Sequence, residues 1–191
     1  MDNMEARSIT ERLAGHVLST RYDDLPPEVV RESKRLLLDS IGCAMGALET
    51  PSGRIALEFA KAIGGTPSAT IVGSGERTSP TAAAYANARL GGVLDADDTF
   101  PSLGHFGNSS CFTALASAEH FGRSGRDLVT AAAVGFDVGA RICNGVGMPF
   151  EVKDGRVSGY SDRGGGSHSI AWASVGAATS IARLSAEQTC H

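Results

Sequence analysis

Signals that start and stop helices recur along this chain at intervals that leave little room for anything else. Ser8-Ile-Thr-Glu11 is a capping box, in which a hydroxyl accepts from the backbone N–H three residues on while the glutamate reaches back to the cap. Pro26-Pro27, Pro51 and Ser79-Pro80 place prolines in first turns, where the missing N–H would have had no partner in any case. Ser124-Gly-Arg-Asp127 repeats the capping logic, and Gly64-Gly65 and Gly122 stand where helices should end. Between these marks apolar residues fall at helical spacing: Ile9, Leu13 and Val17, then Leu37, Ile41 and Met45, then Ile55, Phe59 and Ile63. The pattern predicts a mainly α fold, with helices over about 8–20, 27–48, 51–63, 79–94, 108–122, 124–142 and 168–184. The pair on either side of Gly122 reads as an αα-hairpin.

Competing signals are few. Ala69-Thr-Ile-Val-Gly73 is the one β-like run, too short and isolated to found a sheet. Gly73-Ser-Gly75 opens like a dinucleotide fingerprint, but Thr78 holds the third glycine position and no acidic residue follows on a neighbouring strand, so no cofactor loop is expected. The polar, glycine-rich stretch from Asn144 to Gly166 reads as a long loop. Ser185-Ala-Glu-Gln188 is one more capping box with too few residues after it to sustain a helix, so the chain reads as truncated, a fragment or half of a split protein.

Composition narrows the function classes. With 191 residues and 42% hydrophobic content, residues 1–191 make one soluble domain with a core and no membrane span. A net charge of −4, with Lys and Arg scattered, gives no footprint for nucleic acid. The 24 glycines, the many alanines and only 6% aromatic residues point to helices packed closely through small side chains. Cys43, Cys111, Cys143 and Cys190 form no C-x-x-C motif, and the N-terminus lacks the apolar core of a signal peptide; free thiols in a reducing cytoplasm are expected. Cys43, among small residues of the second helix, reads as packing rather than as a nucleophile.

Chemistry concentrates between Gly91 and His105, where Asp95, Asp97, Asp98, Thr99 and His105 follow an Ala-rich helix. Asp95-x-Asp97-x-Thr99 has the look of a haloacid-dehalogenase-type phosphatase motif using magnesium, but that motif needs a buried strand before it and Ala82 to Leu90 is strongly helix-forming. A metal site built from Asp95, Asp97 and His105 is chemically possible. Asp97 and Asp98 read more simply as loop or helix-end hydrogen-bonding groups, His16, His120 and His191 as surface or boundary histidines, and Trp172 as a packing knob.

The same residues carry a family resemblance. Tyr22-Asp-Asp-Leu-Pro-Pro-Glu-Val-Val, Leu38-Asp-Ser-Ile-Gly42, Ala86-Asn87 with Leu94-Asp-Ala-Asp-Asp-Thr99, Ala118-Glu119 and Gly135-Phe-Asp-Val-Gly-Ala-Arg141 resemble the MmgE/PrpD family, as do Arg163 and His168 with Ala173-Ser-Val-Gly-Ala-Ala-Thr179. That family includes 2-methylcitrate dehydratase, cis-aconitate decarboxylase and iminodisuccinate epimerase. The resemblance covers nearly all of this chain but only the front part of a family member. It implies an all-helical domain, apparently truncated, belonging to a cofactor-free, metal-free lyase that dehydrates, decarboxylates or epimerises a small di- or tricarboxylic acid. It also implies site residues. Asp95, Thr99 and His105 match positions lining the active site in the decarboxylase branch, and His168 is similar to a further active-site histidine, read with Arg163 as substrate-binding. One departure is His105-Phe106, where the family commonly has His-Pro.

On this reading His105 is the acid or base, Asp95 orients and charge-stabilises it, and Thr99 donates to a substrate carboxylate or leaving hydroxyl. A polycarboxylate also needs cations, which Arg163, Lys153 or lysines beyond His191 would supply. The expected partners are the polycarboxylate substrate and either a second copy, as in a homodimer, or a complementary C-terminal chain. The competing expectation is a non-catalytic half of a split enzyme or a helical dimerisation module.

Overall fold

Seven α-helices and one 3₁₀ turn run through the computed structural model, which describes residues 8–100, 105–146, 150–160 and 168–186. They are α1 (Ile9–Ser19), the 3₁₀ turn (Tyr22–Asp24), α2 (Pro27–Ala47), α3 (Pro51–Ile63), α4 (Pro80–Gly92), α5 (Gly107–Phe121), α6 (Gly125–Val146) and α7 (His168–Ala186). Most begin on the residues that the sequence marks. Ser8 Oγ accepts from Glu11 N at 3.2 Å while the Glu11 carboxylate accepts from Ser8 N at 2.8 Å. Thr50 and Ser79 cap α3 and α4 through the N–H groups of Gly53 and Ala82. Gly122 ends α5 in the left-handed conformation that favours glycine (φ 64°).

Helix α5 is the axis of the domain. It packs against α2, α4, α6 and α7, so it is buried on nearly every side, with Ser110, Cys111, Phe112 and Ala114 at or near zero exposure. An apolar stripe on one face would not satisfy such a position, which explains why α5 is built from small and apolar residues all round. Small residues also allow a close helix crossing: a Cβ on Gly176 of α7 would lie 2.6 Å from the carbonyl oxygen of Gly135 in α6. The two backbones therefore touch, as the glycine and alanine content leads one to expect.

The structure corrects four local readings. The run at 69–73 is not isolated: β1 (Ala69–Thr70) pairs antiparallel with β2 (Arg77–Thr78), with Gly73 and Gly75 of the intervening turn at φ 76° and 72°. Asn87 of α4, fully buried, fixes this hairpin by accepting from Val72 N and donating to Thr70 O, both at 2.9 Å. The second correction is that 144–166 is no uniform loop. Helix α6 continues to Val146, and β3 (Phe150–Lys153) pairs with β4 (Arg156–Tyr160) about Asp154-Gly155, at φ 51° and 74°. Asp-Gly with positive φ at both central positions is the two-residue hairpin turn that matches strand twist. The third concerns the start of the helix expected over 108–122: α5 begins at Gly107 with no side-chain cap of its own at the preceding residue, and its first N–H groups find a distant carboxylate, described below. The last is Ser185, which sits in the final turn of α7 and donates back to Ala182 O at 3.2 Å, so it starts no new helix.

Cys43, Cys111 and Cys143 are free thiols. Among the described residues no helix is long and apolar enough to cross a membrane.

Candidate active site

Helix α4 ends at Gly92 and hands the chain to the acidic loop through Asp95, whose φ of 51° turns the backbone sharply. Asp95 itself is exposed. The next two carboxylates fold back onto the start of α5, each with its own task. Asp98 accepts from Phe106 N at 3.3 Å and Gly107 N at 2.9 Å, satisfying two of the orphan donors that open the helix and placing a negative group at its positive end. Gly107 is required there, because any Cβ would overlap the Asp98 carboxylate. Burial pushes the Asp98 carboxyl above its ordinary range, and the charge of Asp97 adds to this, while the N–H donors of Gly107 and Phe106 and the nearby His105 pull the other way.

Asp97 is the deeper group. Only 4% of its side chain is exposed; Oδ2 accepts from Asn108 Nδ2 and lies 3.5 Å from His105 Nδ1. That separation is ion-pair range rather than a tight hydrogen bond. His105 Nδ1 is buried although 39% of the side chain is exposed, so the accessible part of the ring is the edge away from Asp97. Asn108 reaches Asp97 because Gly91 of α4 leaves room for its amide; a Cβ at 91 would overlap Asn108 Oδ1.

Aromatic packing holds the loop from both ends. Phe106, fully buried, stands 5.6 Å from Phe100 and 5.6 Å from Phe136 of α6 between ring centroids. The N–H of Phe106, which a proline at this position would lack, is one of the two donors to Asp98.

The structure separates the sequence-derived candidates. Thr99 is exposed and, with Asp98, lines a groove of about 840 Å³ between α2 and α6, whereas Asp95, Asp97 and His105 are not part of its lining. The carboxylate facing His105 belongs to Asp97, which the sequence reading left as a loop group, and not to Asp95. His168 contributes the first residue of α7; its side chain, and all of Arg163, Trp172's side chain, Cys190 and His191, lie outside the described residues. Lys153 is exposed on the β3–β4 hairpin. His16 lies half-buried at the boundary of α1 and α6: Nε2 pairs with Asp137 at 3.0 Å, and Arg141 holds the same carboxylate at 2.7 Å. Sequence reasoning missed Asn108 and the role of Asp97 because both act across the loop; an amide in the first turn of the helix that follows an acidic cluster was the available signal.

The thiols near the loop are held in the protonated form. Burial, with Asp39, Asp97 and Asp98 adding negative charge, raises Cys43, and burial pushes Cys111 up to about 12. Neither has the electropositive setting of a reactive thiolate. Among the described residues no three His, Cys, Asp or Glu side chains converge to hold a metal ion. The phosphatase reading fails on the element before the motif, which is helix α4 and not a strand.

Fold and loop together define a helical domain that presents an acid–imidazole pair at the start of its central helix. The family model for the MmgE/PrpD N-terminal domain matches residues 11–191, and the chain belongs to that family. Its relatives include cis-aconitate decarboxylase of Homo sapiens, 31% identical over 144 residues, which are 73% of this chain and 30% of the relative. The cis-aconitate decarboxylase of Aspergillus terreus is 26% identical over 147 residues, 74% of this chain and 30% of the relative. A cis-aconitate decarboxylase-like protein of Aspergillus oryzae is 27% identical over 149 residues, 74% of this chain and 31% of the relative. The matched region thus spans about a third of the length of these curated relatives.

Proposed function

We propose that this domain carries the proton-transfer group of a lyase acting on a small di- or tricarboxylic acid, with an unsaturated tricarboxylate such as cis-aconitate as the first candidate. The observation that carries the reading is the disposition of His105: one ring nitrogen buried against the carboxylate of Asp97, the opposite edge open. An imidazole so held keeps a defined tautomer and can take or deliver a proton at its free nitrogen. In a decarboxylation the electron pair of the broken C–C bond is left on the neighbouring carbon as CO₂ departs, and imidazolium His105 delivers the proton there. In a dehydration, neutral His105 removes the proton beside a carboxylate as hydroxide leaves.

Asp97 orients His105 on this reading, Thr99 donates to a carboxylate or leaving hydroxyl, and Asp95, exposed at the turn, faces the substrate side. His168 and Arg163 are assigned to substrate binding. On this reading the chemistry uses no cofactor, each bond cleavage being coupled to a proton transfer that His105 makes, and we place it in the reducing cytoplasm, as a homodimer or joined to a complementary C-terminal chain.

A second reading has one observation behind it. Among the described residues the groove beside Thr99 is lined by five carboxylates and one arginine, which opposes a polyanionic substrate unless cations come from another segment. On that reading the chain is active only when completed by a partner. The test is CO₂ release from cis-aconitate, and loss of substrate absorbance on a panel of di- and tricarboxylates, by the chain alone and by a longer version containing it. Turnover that falls about 10²- to 10⁴-fold in His105→Ala supports the proposal; turnover indifferent to that substitution overturns it.

A further inference from the structure

The groove between α2 and α6 is more than the neighbour of the acidic loop. Glu28, Glu32, Arg35 and Asp39 follow one face of α2, so the lining runs from residue 28 to residue 39, about 16 Å at the helical rise. Its floor is apolar, with Val29, Leu36, Phe100 and Phe136 contributing. Leu38, also in the lining, is 71% exposed, a large aliphatic side chain left to water at the groove's edge.

The rim is acidic. Arg35 is tied to Glu32 at 2.9 Å, and Asp137 is neutralised by Arg141 at 2.7 Å. Glu28 and Asp39 have no ion-pair partner among the described residues, and Asp98 meets only backbone N–H groups and the charge of its loop. Two carboxylates without an ion-pair partner among the described residues, Glu28 and Asp39, therefore border one apolar trough in a chain whose net charge is −4. An elongated trough with an apolar floor fits the apolar ridge of a helix, and its acidic borders fit Lys or Arg on that helix's flanks.

We propose that this groove docks an amphipathic helix with basic flanks, supplied by a partner polypeptide. A second copy of this chain is a poor occupant, because no described helix carries a surplus of more than one basic residue: α2 has three of each sign, and α3, α4 and α7 are each one basic residue in excess. The proposal is independent of the lyase reading; it concerns binding, and would survive the absence of turnover.

The probe is a pair of synthetic helices about five turns long, identical in a leucine ridge at i, i+3, i+4 and i+7 and carrying either Lys or Glu on the flanks. Fluorescence anisotropy against the full chain should show the Lys helix binding at low salt, at least about tenfold more tightly than the Glu helix, and weakening as salt is raised. In the double variant Glu28→Lys, Asp39→Lys, checked for helicity by circular dichroism, the preference should reverse, with the Glu helix now bound. Equal binding of both helices, a Lys-helix affinity unmoved by the double charge reversal, or no binding of either to the folded chain would each overturn the proposal. Sedimentation velocity gives the remaining outcome: self-association abolished by the double variant would assign the groove to a second copy and overturn it as well.

Discussion

His105 Nδ1 lies 3.5 Å from Asp97 Oδ2, and the carboxylate it faces is in turn held by Asn108 Nδ2. A buried carboxylate opposite one ring nitrogen favours the tautomer with its proton on that nitrogen, leaving the other lone pair open. ¹⁵N NMR of the chain should therefore report His105 as the Nδ1–H tautomer when neutral. Asp97→Asn, which keeps the shape and removes the charge, should mix the tautomers, and in a catalytically competent longer version should lower kcat by about 10²-fold or more with KM much less affected. An unchanged tautomer in Asp97→Asn would remove Asp97 from this role.

Two glycines make that arrangement possible. Gly107→Ala would overlap the Asp98 carboxylate and Gly91→Ala the Asn108 amide. Each should destabilise the domain by about 1–3 kcal/mol, the usual range for overpacking. Gly15 of α1 has nothing within 4 Å of its added Cβ, and Gly15→Ala should instead stabilise by about 0.5–1 kcal/mol through helix propensity alone. Urea melts of the three variants check the contrast, and equal effects would mean that the contacts at 91 and 107 are not as described.

Asp98 gives a prediction in pH. Its folded-state pKa is raised above the ordinary 3.8, chiefly by burial, so the native state holds a proton in the interval between the two values that the unfolded chain has already released. Its contribution to stability is therefore full below 3.8 and is lost as pH rises through the folded-state value. Asp98→Asn removes that titration, and the stability curve should flatten over this interval. At neutral pH the same substitution trades a double acceptor for a single one, and the loss at the start of α5 should be no more than about 2 kcal/mol. A pH dependence identical to that of the parent would show that Asp98 is not the group responsible.

Most of the helical frame was legible in the sequence because its signals are local. The bond from Ser8 to Glu11, proline in a first turn, and Gly122 in the left-handed region each act within one turn of chain. What escaped the reading acts at a distance. Asp98 caps a helix that begins nine residues later, so no local motif announces it, and α5 starts earlier than a search for Asn or Ser caps suggests. The Asp154-Gly155 turn was a local signal that went unread, its flanking β3 and β4 hidden by the polar, glycine-rich composition around them. At the candidate site the cluster was visible as a set of residues but not as an arrangement. Three carboxylates within four positions look alike in a sequence, and only the fold distinguishes the exposed Asp95, the His105-facing Asp97 and the helix-capping Asp98. Asn87 shows the converse: a residue of one of the stretches that carry the family resemblance turns out to fix a hairpin.

Asp95 separates backbone from chemistry in one position. Its φ of 51° is in the region where glycine is unstrained, asparagine and aspartate are tolerated, and a plain Cβ is penalised. The stability order of variants should therefore be Gly at or above Asp, Asn close to Asp, and Ala lowest, spread over about 1 kcal/mol. Turnover in a competent longer version should follow a different order if the carboxylate meets substrate: Asp95→Gly, Asp95→Asn and Asp95→Ala all fall together, by about 10²-fold or more, although one of them is at least as stable as the parent. If instead Asp95→Asn and Asp95→Gly keep parental turnover while Asp95→Ala loses activity in proportion to its stability, the residue serves only to turn the chain out of α4, and the chemistry belongs to Asp97 and His105.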